Sequence, residues 1–185
     1  MDFLAILAVA GVVAAAMFSK GGAPGFTTAD SLAAMRPQDV LARVHAVIAS
    51  RDLKGLSPAA VLLMADMENG FSAGMLTPFF RATNSLFNRH KGLGTVGVPN
   101  SDGYWTGRTY YATAADPDLR IYDSLEQSVD DFVQLMGLRI YASARAAAMR
   151  GDVGGFIAAI AAVPYSAQPD YFAALRNRAR SLGLA

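Results

Sequence analysis

Hydrophobic and polar positions along this chain recur mostly at helical spacing, and the departures from that spacing divide it into parts. Residues 3–18, FLAILAVAGVVAAAMF, form an unbroken apolar run, somewhat short of the roughly 20 residues that a membrane-spanning helix usually needs. Asp2 precedes the run and Lys20 follows it. A secretory signal starts with basic residues, so these flanks favour a retained anchor over a leader cleaved near Ala14-Ala15-Ala16. The single Lys20 would place the N-terminus outside and the remainder inside. Gly21-Gly22-Ala23-Pro24-Gly25 then isolates the run. The expected organisation is a transmembrane anchor over 1–20, a linker over 21–30 and one folded domain over 31–185.

Within that domain the pattern predicts a mainly α fold with a small β-hairpin lobe. A short helix over 31–35 is capped from Thr28-Ala29-Asp30 and stopped before Pro37. Residues 38–50 place Val40, Leu41, Val44, Val47 and Ile48 on one helical face, with His45 beside it at the boundary with solvent. Ser57-Pro58 starts a helix with a hydroxyl at the cap and proline at the first position. Val61, Leu62, Met64 and Ala65 make it apolar nearly all round, so it belongs at the centre. It breaks at Asn69-Gly70, and Gly70, Gly74 and Pro78 interrupt the pattern that follows. Residues 92–111 are glycine-rich and hold the single tryptophan, Trp105; Thr109 to Thr113 alternate as a strand does. Asp123-Ser124 opens another helix with Glu126 and Gln127 in its first turn, and Val129, Phe132, Val133, Met136 and Ile140 form its buried stripe. Helices over 143–150, 153–163 and 171–182 complete the chain. Arg176, Arg178 and Arg180 near its end read as a solvated face.

Composition narrows the chemistry. The 185 residues are 53% hydrophobic and 17% charged, with a net charge of +1. A single domain of this length buries a sizeable core, and nothing in the charge balance points to nucleic acid. There is no cysteine, which excludes disulfides and thiolate sites, and the two histidines, His45 and His90, are too few for a histidine-built metal site without several carboxylates. No cofactor is expected. Two acids interrupt the central helix. At about 100° per residue Asp66 and Glu68 face different sides. Asp66 reads as solvated, whereas Glu68 falls near the buried side at the helix end, where a general acid is favoured.

Four blocks, in order, resemble glycoside hydrolase family 73, the bacterial cell-wall N-acetylglucosaminidases that include the flagellar muramidase domain, within the lysozyme-like superfamily. They are the helix from Leu56-Ser57-Pro58 to Met67-Glu68-Asn69-Gly70, then Asn84-Ser85-Leu86-Phe87-Asn88. Leu119-Arg120-Ile121-Tyr122-Asp123-Ser124-Leu125-Glu126-Gln127-Ser128-Val129-Asp130-Asp131 and Val163-Pro164-Tyr165-Ser166-Ala167-Gln168-Pro169-Asp170-Tyr171 follow, so the resemblance covers roughly 55–182. It implies a lysozyme-like helical domain and cleavage of β-1,4 bonds between N-acetylglucosamine and N-acetylmuramic acid. It places Glu68 as the catalytic acid and Tyr165 as an active-site tyrosine, with Asn84 and Phe87 along the glycan groove; the clustered aromatics of the lobe, Trp105 and Tyr110, suit stacking on the glycan or packing in the core. The chain departs from the family pattern at Phe71, where a tryptophan is usual, and at Asn88, where a glycine is usual. It has no glutamate near Thr109-Tyr110. Asp102, Asp116 and Asp118 are the candidates for a second carboxylate. Retaining, inverting and substrate-assisted routes all stay open.

The expected function is therefore that of a membrane-anchored peptidoglycan hydrolase. Its partners would be glycan strands, lipid through residues 3–18, and proteins of a virion or an envelope complex, with no nucleic acid. Its place would be the bacterial envelope or a phage virion. The alternative is a catalytically weakened wall-binding or assembly module of the same fold.

Overall fold

A computed structural model describes residues 35–71, 80, 83–89, 109–110, 118–163, 165–166 and 168–184. The expected anchor, linker and first short helix lie outside these residues. Among the described residues no helix is long and apolar enough to cross a membrane.

The described architecture is mainly α-helical, as the periodicity predicts. Helix α1 (Pro37–Ser50) turns through Lys54 and Gly55, both with positive φ, into α2 (Pro58–Asn69). Strand β1 (Thr109–Tyr110) pairs antiparallel with β2 (Leu119–Arg120), Thr109 opposite Arg120 and Tyr110 opposite Leu119. Helix α3 (Leu125–Met136), a 3₁₀ turn (Arg139–Tyr141), α4 (Ala142–Met149), α5 (Val153–Ala161) and α6 (Tyr171–Ser181) follow. The pairing gives the expected lobe a ladder, and Leu119-Arg120 supplies its second strand.

Helix α2 is the hub because its apolar residues leave no polar face. Ala60, Val61, Leu63, Met64 and Ala65 are all buried, and α1, α5 and α6 pack around it. Each fully buried aliphatic or aromatic side chain of this core contributes about 1.5–3 kcal/mol relative to exposure. The C-terminus of α2 is set by Gly70, whose φ of 71° closes the helix in a left-handed cap that a side chain would strain. Its N-terminus differs from expectation. Ser57 occupies the cap position, but its side chain makes no capping bond; its backbone N–H donates instead to Ala148 O at 3.1 Å and joins α2 to α4.

Helix α3 begins as the sequence predicts. Ser124 Oγ accepts from the Gln127 N–H at 3.3 Å, while the Gln127 amide oxygen reaches back to the Asp123 N–H at 2.8 Å, which satisfies donors that a helix start leaves open. Its buried stripe is Leu125, Val129, Phe132, Leu135 and Met136. Ile140 does not extend it: the helix stops at Met136, and Ile140 falls on the 3₁₀ turn at 55% exposure. At the start of α5 the Asp152 carboxylate accepts from the Gly155 N–H at 2.8 Å. A Cβ at Gly155 would stand 2.2 Å from that carboxylate, so a larger residue there would push the Asp152 side chain aside.

Candidate active site

Glu68 occupies the penultimate position of α2 and is half-buried. Two neutral donors converge on its carboxylate. The Asn88 side-chain amide donates to Oε2 at 3.0 Å and also to the backbone carbonyl of Glu68 at 3.2 Å. The Tyr171 hydroxyl, from the first residue of α6, donates to Oε1. Tyr165 completes the cluster. Its ring lies 6.0 Å from that of Tyr171 and 6.1 Å from that of Tyr141, centroid to centroid, and its hydroxyl both bonds with Tyr171 and feels the charge of Glu68.

The electrostatics keep these phenols protonated. Burial pushes the Tyr171 phenol far above its ordinary range, and Tyr165 and the Glu68 charge push it further the same way. Burial acts likewise on Tyr165, again with Glu68 adding to the shift. Tyr141 is also raised by burial, while the Arg89 charge opposes the rise. Tyr171 therefore remains a proton-bearing donor to the carboxylate at any working pH.

The segment 83–89 brings Asn88 to this place. Phe87 stacks on Phe132 of α3, with ring centroids 4.1 Å apart and planes inclined by 15°. The Leu86 N–H donates to Ser128 Oγ at 3.0 Å. The Asn69 amide donates to Leu86 O at 2.9 Å, which stitches the segment to α2. Next to Asn88, Arg89 is drawn into a buried network: its guanidinium and that of Arg120 both donate to Asp131 Oδ1, Arg120 at 2.8 Å, and the Tyr122 hydroxyl donates to Oδ2. All four groups lie on the inside of the fold. Two cations beside one carboxylate compensate its charge where water is excluded.

This geometry sorts the residues expected from the sequence. Glu68 and Tyr165 fall in one cluster, joined through Tyr171. Asn84 and Phe87 belong to the core and not to an open groove. Asn84 is fully buried and its amide donates to Tyr122 O at 2.9 Å, while Phe87 is 3% exposed with its face occupied by Phe132. A ring already stacked inside has no face to offer a sugar. Tyr110 lies on β1. Asp118 is half-buried just before β2. Trp105, Asp102 and Asp116 fall outside the described residues.

Two members of the site were missed. Tyr171 stood in the last matching block as a helix start, and Asn88 was noted only as a departure from glycine. Asp66 also corrects its reading. It is 1% exposed and pairs with Arg178 of α6 at 3.2 Å, so neither Asp66 nor Arg178 belongs to a solvated face. His45 stays at the boundary, half-buried, its imidazole pKa lowered by burial and partly restored by the Asp66 charge.

No metal-ligating group of three His, Cys, Asp or Glu occurs among the described residues. A hollow of about 520 Å³ opens between the turn after α1, α3 and α4. It is lined by Arg51, Lys54, Asp130 and Arg145 among others, and the Arg51–Asp130 ion pair crosses it at 2.9 Å; Glu68 is not part of that lining. Comparison with protein-family models, curated proteins and solved structures finds no match to this chain.

Proposed function

We propose that this chain is a peptidoglycan hydrolase of lysozyme-like fold, anchored to a membrane through residues 3–18. Glu68 is its general acid. The observation that carries the reading is the carboxylate at the end of the central helix, half-exposed and held between an amide and a phenol. The amide and the phenol orient the group without bringing a charge of their own, which suits a carboxyl that gives up and regains a proton.

In this scheme the glycosidic oxygen between N-acetylglucosamine and N-acetylmuramic acid lies against the Glu68 carboxyl. The proton moves to that oxygen as the bond to the anomeric carbon breaks. Water supplies the hydroxyl of the new reducing end, and its proton restores the acid. Tyr171 keeps the carboxyl in place, and Tyr165 lines the approach to it. Local opening of the wall, during phage entry or the assembly of an envelope machine, is the use that a tethered cutter would serve.

Digestion of purified peptidoglycan tests the reading. Soluble fragments bearing new reducing ends, identified by mass spectrometry, are expected. Binding to the glycan with no release of reducing ends would show a wall-binding module in place of an enzyme.

A further inference from the structure

We infer that Asn88 is the positioning residue of Glu68, a role that rests on the reading of Glu68 as the acid. The backbone at Asn88 has φ 46°, in the left-handed region. Glycine and asparagine are the residues that enter this region most readily. Of the two, only asparagine brings a side-chain donor. The departure from glycine at this position is thus permitted by the backbone and adds an amide aimed at the acid.

That amide grips Glu68 at two points, the carboxylate Oε2 at 3.0 Å and the residue's own carbonyl oxygen at 3.2 Å. The carbonyl belongs to the last turn of α2, where helix geometry leaves acceptors open. A single NH₂ group bridging both atoms ties the side chain to its own backbone and so restricts its rotamers. Both contacts require the nitrogen of Asn88 to face Glu68, because two acceptors cannot bond to the amide oxygen.

The grip is firm because Asn88 cannot drift. Phe87 before it is stacked against Phe132, and Arg89 after it is bonded to Asp131. The Asn69 amide, one residue beyond Glu68, donates to Leu86 O, so two asparagine amides cross the gap between α2 and this segment. Among the described residues, the titratable groups facing Glu68 from the packed elements are Tyr171 on α6 and Tyr165 before it. Tyr141 and the Arg89 charge act on Tyr165, and Asp66 on α2 is engaged by Arg178. Removing Asn88 leaves all of these in place.

The experiment compares the full chain with Asn88→Gly, which keeps the left-handed backbone and deletes only the amide. The first readout needs no substrate: a carbon-13 NMR titration of the Glu68 carboxyl, assigned by its absence in E68Q. An amide that donates to the ionised carboxylate favours the charged form, so its loss must shift the titration midpoint upward. Asn88→Asp, with a second carboxylate in place of the donor, must shift it further. The second readout is digestion of peptidoglycan. For N88G a fall in kcat of about tenfold with KM nearly unchanged is expected, as for loss of an oriented acid. An unmoved midpoint in N88G overturns the positioning role whatever the activity. A moved midpoint in a protein that never releases reducing ends upholds the positioning role and defeats the hydrolase reading.

Discussion

Two carboxylates, Glu68 and Asp131, stand a short stretch of chain apart through Asn88-Arg89, and their surroundings are opposite. Asp131 is fully buried and bonded to two guanidiniums and a phenol. Its charge holds the inside of the fold together, and neutralising it would strand cations away from water. Glu68 is half-exposed, and the donors that orient it, Asn88 and Tyr171, carry no charge. The difference teaches how one small helical domain can use the same functional group twice. Cations make Asp131 a structural post, whereas the two described donors to Glu68 are neutral, the setting in which the proposed acid would exchange its proton. The two are coupled, because Arg89 on the post is the neighbour of Asn88 on the acid.

Breaking the post should have the largest effect. Asp131→Asn keeps the shape and removes the charge, and the loss of stability should be about 3–5 kcal/mol, as for removal of one partner from a buried pair. Urea unfolding followed by circular dichroism measures it, and any activity lost would track the unfolded fraction. A smaller and different effect belongs to Tyr171→Phe. Loss of one hydrogen bond should cost about 1 kcal/mol in the same unfolding experiment, yet release of reducing ends should fall about tenfold because the acid is less well held. Equal proportional losses of stability and activity in both variants would erase the contrast.

The smallest effect concerns His45 on α1, which feels the charge of Asp66, the partner of Arg178 on α6. Burial lowers the His45 pKa from its ordinary 6.5, opposed by the charge of Asp66. The folded protein therefore takes up a proton at His45 less readily than the unfolded chain does. The stability this contributes is complete above about pH 6.5 and is lost as pH falls toward the depressed folded value. His45→Gln should flatten that decline in a series of thermal melts between pH 5 and about 7.5, with no change in the alkaline arm.

Much of the scaffold was legible from the residues alone. The all-round apolar run of α2 announced a central helix, and the stripe through Val129, Phe132 and Met136 announced α3. Both follow from local spacing. Asp66 was misread because spacing along α2 says where a side chain points but not what will meet it; Arg178 arrives from the far end of the chain. Phe87 looked available for stacking on a sugar because its partner, Phe132, belongs to a helix whose packing no local pattern reveals. Ile140 fits the α3 periodicity by count, yet the helix ends before reaching it.

The candidate site was half legible. Glu68 was conspicuous as an acid at the end of an apolar helix. Its neutral partners were not, since an asparagine in a loop and a tyrosine at a helix start are ordinary residues until folding brings them together. A signal for Asn88 existed all the same: with glycine, asparagine is the residue that enters a left-handed backbone most readily, as Asn88 does.

The most direct measurement is the release of reducing ends from purified peptidoglycan by Glu68→Gln, with its unfolding midpoint recorded beside that of the unmodified chain. The amide side chain matches the carboxyl in shape and cannot serve as the acid. Release should fall by at least about 100-fold, while the midpoint stays close to that of the original. A folded E68Q that releases reducing ends at the original rate would contradict the account.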